Sequence, residues 1–231
     1  MSPSGRSPAE AAEHSTGPTA RTRVTRLPKR GFYDRETIDA ILDEALVGHL
    51  AFTVEDGQPY AIPTLEARIG DEVWVHGSAA SRTLRTVASG IPACLTVTLI
   101  DGLVLARSIF NHSVNYRSVI VLGEARSVTD PDEKLAALEA FAERIAPGRW
   151  ADARPPTRQE LKATSILSLP LDEASAKIRT GPPNDEEDDL QLDVWAGIVP
   201  IETVRRNPVP APDLREGIEV PGYLRDGTKS S

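Results

Sequence analysis

From His49 to Gly77 the chain reads "HLAFTVEDGQPYAIPTLEARIGDEVWVHG", three short apolar segments cut by "EDGQ" and "GDE". Both strings form turns, and segments this short between turns imply antiparallel hairpins. The same grammar continues downstream. "ACLTVTLIDGLVLARSIF" reads as two strands joined at Asp101-Gly102, "RSVIVLGEARSVTD" as a long strand with a bulge or bend at Gly123, and "TSILSLPLDEASAKIRTG" as a last long strand. Three helices interrupt them. In "DRETIDAILDEALVG" the residues Ile38, Ile41, Leu42, Ala45 and Leu46 fall on one helical face that ends at Gly48. "SRTLRTVAS" is a short helix stopped by Gly90 and Pro92, and "DPDEKLAALEAFAERIAPG" is opened by Pro131 and closed by Pro147-Gly148. The sum is a mainly β fold, a small antiparallel barrel of about six strands with peripheral helices.

A chain of 231 residues with 40% hydrophobic content buries one sizeable core, which sets the domain count at one. Residues 1–22 are rich in Ser, Pro, Gly, Thr and Ala without hydrophobic period, so a disordered tail is expected there, a barrel domain over 23–205 and a proline-bearing tail over 206–231. The single cysteine, Cys94, rules out an internal disulfide or a thiolate metal site and points to a reducing cytoplasm. Apolar runs stay well below the roughly 18 residues that span a bilayer, and a signal peptide is not expected. A net charge of -8 argues against nucleic acid and for a small-molecule partner.

One basic feature stands out. In "VWVHGSAASRTLRTV" an apolar strand ends in His76, Gly77 and Ser78, and Ser81-Arg82 open the next helix. Backbone N–H groups, hydroxyls and a guanidinium converging at a helix start suit a phosphate. Ser81 and Arg82 are the expected phosphate ligands, with Arg85 a weaker candidate on the same face. The same residues also suit an ordinary cap by Ser81 beside a solvated arginine.

The order of elements, with "HGSAASRTL", "NYRSVIVLGEA" and a late "WAGIVP", resembles the flavin-binding split barrels of the pyridoxamine 5'-phosphate oxidase-like superfamily. Within it the resemblance is to the branch related to nitroimidazole-resistance reductases. It covers about residues 33 to 200 and implies a homodimer holding FMN in clefts between subunits. By resemblance, the strand containing Ile62, Pro63 and Thr64 lies along the flavin ring, though a plain edge strand is the alternative. His76 corresponds to a histidine near flavin and substrate, where an imidazole can relay a proton; a structural histidine fits as well. Arg117 and Ser118 stand where relatives carry an Arg-Gln pair that reaches the flavin of the partner. Trp195 resembles a late tryptophan packed near the ring, with core packing as the alternative. Lys177 and Arg179 alternate on one strand face, where solvated charges are expected, and His112 is expected to be solvated in its loop.

The sequence also departs from the vitamin B6 oxidases. Their arginine and lysine on the strand of "YAIPTLEA", and a lysine after "SR", are replaced here by apolar residues, Glu66 and Thr83. The expected activity is an FMN-dependent reductase passing electrons from transiently bound NAD(P)H to a small aromatic or nitro-bearing acceptor. Alternatives are deazaflavin F420 as the cofactor, or a flavin or haem carrier in which His76 or His112 is an axial ligand.

Overall fold

The turns that cut the opening stretch form as hairpins. Val54 N–H donates to Gln58 O around Gly57 (φ +88°), and Gly70 (φ +59°) leads the two-residue turn before Glu72. Positive φ at these corners is what glycine supplies at least cost. The computed structural model describes residues 17–225. In chain order it contains β1 (Gly31–Phe32), α1 (Arg35–Glu44), β2 (Val47–Thr53), β3 (Pro59–Ile69), β4 (Glu72–Ser78), α2 (Arg82–Val87), β5 (Pro92–Leu105), β6 (Ser113–Glu124) and β7 (Arg126–Val128). Then follow α3 (Pro131–Ile145), α4 (Arg149–Asp152), α5 (Arg158–Ala163), β8 (Thr164–Pro170), β9 (Ala174–Arg179), β10 (Gly197–Pro200) and α6 (Gly222–Arg225).

Every pairing is antiparallel, in the order β1-β9-β6-β5-β2-β3-β4-β8-β7, with β10 added to β5. The ladder is not closed. The two long segments expected at 117–130 and 164–181 each bend, giving β6 then β7 and β8 then β9. They pair at both ends, Val121 with Ala174 and Arg126 with Ser168, and part between. Pro170 lies in that gap, where it has no N–H to give a ladder. Leu50, Val73, Leu95, Val97, Val119 and Leu167 fill the interior at 0–1% exposure, and Ile38, Ile41 and Leu42 of α1 pack against them. A second cluster lies outside β4 and β8, where Trp74 and Ile166 meet Ala137 and Phe141 of α3.

Four expectations change. Asp101-Gly102 is not a hairpin: β5 runs through it with a register shift opposite β6 between Ile100 and Gly102. Neighbours override the local turn signal, because β10 pairs with Gly102–Leu105 and a Cβ on Gly102 would stand 3.0 Å from Val199 O. Helix α1 ends at Glu44 rather than Gly48, which belongs to β2. The Arg144 guanidinium takes the carbonyls of Leu42, Asp43 and Ala45 and stops it there. Helices α4 and α5 were not foreseen. Residues 1–16 of the expected N-terminal tail lie outside the described residues; in 17–22 the Thr19 hydroxyl accepts from the Arg21 and Thr22 N–H groups, and Thr22 is buried. The C-terminal segment is largely exposed coil until α6, whose Tyr223 hydroxyl donates to Asp152 at 2.8 Å. Among the described residues no helix is long and apolar enough to cross a membrane.

Candidate functional site

The sheet opens between β3 and β4. From Pro59 to Leu65, β3 pairs with β2; only from Glu66 to Ile69 does it pair with β4. Beyond Val75, β4 pairs with β8 alone, His76–Ser78 against Thr164–Ile166. One backbone edge of β3 is therefore unpaired along Ile62, Pro63 and Thr64. A proline is tolerated on such an edge, and free peptide groups there can meet a planar ligand. The Ile62 side chain turns to the core, Pro63 is exposed, and the Thr64 hydroxyl donates to Leu65 O.

Helix α2 stands across this opening. Gly77 lets it come close, since a Cβ there would lie 3.0 Å from Leu84, whose side chain with Val87 anchors the helix in the core. Ser81 is the N-cap and accepts from Leu84 N–H, so the ordinary cap is present. Ser78 accepts from Ala80 N–H, and Ala79 N–H is bonded to Ala163 O. The donors left at the helix start are the N–H groups of Arg82 and Thr83, which have no carbonyl within the helix to meet. Arg82 is exposed and its guanidinium lies over the Tyr60 ring, 5.5 Å from the centroid. It has no carboxylate partner among the described residues. Arg35, Arg68, Arg126 and Arg154, by contrast, each hold a carboxylate.

Near Tyr60 a cleft of about 660 Å³ opens between Arg21, Phe52, Cys94, Leu122, Gly123 and Pro170. Burial raises the pKa of the Cys94 thiol, which favours the protonated form there. Tyr60 and this cleft were missed from sequence; nothing in "PYAIP" distinguishes a ring that stacks on a cation from one that packs in a core.

His76 is not brought to Arg82 within one chain. Leu84 covers the Gly77 side of β4, whereas the His76 ring is turned to α3 and lies 4.2 Å from the Phe141 ring. Its Nδ1 is buried without a partner, and burial lowers its pKa, which favours the neutral ring. Arg117 and Ser118 are engaged at home. Arg117 clamps Glu44 at the end of α1 to Asp101 in the β5 bulge, and both carboxylates push its pKa up. The Ser118 hydroxyl donates to Lys177 O at 3.2 Å. Trp195 is 65% exposed and folds back on Gly197, where a Cβ would come within 2.9 Å of the indole.

Lys177 is half-buried, and Arg179 is not a solvated charge. It is 6% exposed and donates to Asn115 Oδ1 and to the Gly181 and Pro182 carbonyls. Burial and the nearby Arg30 lower its pKa. Glu66, one of the departures noted above, is 0% exposed with neither oxygen hydrogen-bonded, and Arg144 stands 3.7 Å away. Burial lifts its pKa to about 7 against the pull of Arg144. No sequence pattern marks that pair.

A family model described as pyridoxamine 5'-phosphate oxidase matches residues 34–178. Among solved structures, the flavocytochrome Anf3 from Azotobacter vinelandii is 39% identical over 90% of this chain and 97% of its own, with a TM-score of 0.85. A protein from Mycobacterium smegmatis described as binding FAD and haem is 39% identical over 86% of this chain and 97% of its own, with a TM-score of 0.82. A suspected 5-nitroimidazole antibiotic resistance protein from Bacteroides thetaiotaomicron shares the fold at 19% identity over 64% of this chain and 86% of its own, with a TM-score of 0.54. No curated protein matches.

Proposed function

Because the chain belongs to the pyridoxamine 5'-phosphate oxidase family, we propose that it is a flavin-binding redox protein that also holds haem, in the manner of a flavocytochrome. Family membership alone assigns no reaction. The observation that carries the reading is the 39% identity, over nine-tenths of the chain, to a flavocytochrome, joined by equal identity to a protein that binds FAD and haem. The site fits a flavin. Arg82, free of carboxylates and held by Tyr60 beside two unbonded N–H groups, suits the flavin's phosphate; the unpaired β3 edge suits the polar rim of its ring. A bound flavin supplies hydride and single-electron transfer, and the protein supplies seat, orientation and exclusion of water. Oxidation of a vitamin B6 phosphate is disfavoured, since Glu66 is buried and Arg68, the cation of that strand, is held by Asp43.

The reading includes reduced nicotinamide as a transient electron donor and a homodimer as the working form. Val47, Ile100 and Ile120 stand on the outer face of the sheet at 51%, 43% and 43% exposure, an apolar surface suited to a second copy. Absorbance of the purified protein supplied with flavin and ferric haem tests the cofactor reading, with mass spectrometry of whatever denaturation releases. Flavin bands together with a Soret band are expected; a protein that takes up neither overturns it. A monomer by sedimentation at micromolar concentration would remove the dimer.

A further inference from the structure

Resting on the reading that this chain holds haem, we propose that His112 is the axial ligand of the haem iron, through Nε2, with Ile109 and Phe110 covering the macrocycle beside it. The turn Ile109–Asn111 joins β5 to β6 and presents three features together. First, His112 Nδ1 stands 3.0 Å from the Ser108 carbonyl. A carbonyl only accepts, so Nδ1 carries the ring proton and Nε2 keeps the lone pair. A second-atom hydrogen bond to a carbonyl is the arrangement that fixes tautomer and orientation in metal-ligating histidines. Second, the residue is exposed, so Nε2 can be approached. Third, Ile109 and Phe110 are 88% and 93% exposed, large apolar side chains that nothing among the described residues covers. An apolar planar ring bearing an iron satisfies all three. Coordination needs only the neutral Nε2 lone pair in place of a water on ferric iron; no proton leaves the protein.

The other described histidines lack this combination. His76 lies against Phe141 with its Nδ1 buried and unpaired, so nothing sets its tautomer. His49 is exposed on the strand face of β2 between Pro63 and Thr96, without an exposed aromatic neighbour on its own strand. His14 lies outside the described residues.

The test titrates ferric haem into the full-length protein and into His112→Ala, His76→Ala and His49→Ala, followed by the Soret band and by electron paramagnetic resonance. The expected result is a histidine-ligated spectrum in the parent, in His76→Ala and in His49→Ala. In His112→Ala haem uptake should weaken at least about tenfold, the ligated spectrum should vanish, and added imidazole should restore it. Flavin affinity and melting temperature serve as the folding check. A parental spectrum in His112→Ala, or its loss in His76→Ala or His49→Ala instead, overturns the assignment while leaving the haem reading intact. A parent that binds flavin but no haem overturns the haem reading itself, and the assignment with it.

Discussion

The two ends of β5 differ in kind. At the Pro92–Cys94 end stand Tyr60, an arginine without an acid, an unpaired strand edge and a cleft. At the Val104 end stand exposed Ile109, Phe110 and Trp195 and a tautomer-fixed imidazole. Three arginines there are engaged: Arg107 by Asp185, Arg117 by Asp101 and Glu44, Arg179 by Asn115 and two carbonyls. The first end suits an anion, the second an apolar ring. From Cys94 to Val104 an extended strand runs on the order of 30 Å, so no small ligand touches both ends of one chain. Arg82 and Trp195, both named by resemblance for a cleft between subunits, thus stand at opposite ends within one chain. Only a second ligand or a second copy can unite them.

Removing the Arg82 guanidinium should separate the ends most sharply. Arg82→Ala is expected to weaken binding of FAD or FMN by about 1.5–3 kcal/mol, the scale of a hydrogen bond to a charged group. Riboflavin, which lacks phosphate, should bind both forms alike, and haem uptake should not change. Fluorescence titration with each flavin checks this. Equal weakening toward riboflavin would show that Arg82 does not hold a phosphate.

Glu66 is buried beside Arg144, and its replacement should alter stability without altering either ligand. Its folded pKa, about 7, lies above the unfolded value, so stability is fully present at pH below about 4.5 and falls as pH rises through 7. Glu66→Gln keeps the neutral form at all pH. The variant should lose that slope and exceed the parent at pH 8 by on the order of 2 kcal/mol. Urea midpoints at pH 5 and pH 8 measure it; a parent as stable at pH 8 as at pH 5 would mean that Arg144 holds Glu66 ionised throughout. Smaller again is Gly77→Ala. The added methyl meets Leu84 at 3.0 Å and pushes on α2, which should cost about 1 kcal/mol and lower flavin affinity a few-fold through Arg82. Haem uptake should stay as it was. If it falls too, the ends are coupled through the core.

How much of this was legible depends on how local the cause is. The hairpins at Gly57 and Gly70, the Ser81 cap and the face of Ile38, Ile41 and Leu42 on α1 follow from neighbours in sequence and form as read, while Ala45 and Leu46, read onto that face, fall past the helix end and Leu46 is exposed. Helix α5 was legible but passed over: Thr157 and Glu160 make a capping box, a signature written in "TRQE". What could not be read is set by distant partners. Asp101-Gly102 is a sound turn signal overridden by β10 on one side and by Arg117 on the other. The early end of α1 is set by Arg144, from a helix far along the chain. At the site, the helix-start arginine was visible, but its stacking on Tyr60 was not. The Arg117 pairs could not be read because Glu44 and Asp101 lie on other elements.

The smallest expected effect tests the second end from the side of stability. Phe110 is 93% exposed, so Phe110→Ser removes no packing within the chain and should change stability by no more than about 0.5 kcal/mol. Haem uptake should weaken while the ligated spectrum keeps its shape, because His112 still supplies the lone pair and only the apolar cover is lost. Thermal melts without haem, at two protein concentrations, separate this from the alternative. If the variant melts several degrees lower, and the loss grows as the parent is concentrated, Phe110 is already covered by a second copy. The apolar tip would then be a subunit contact, and the contrast between the two ends would be one of interface against pocket.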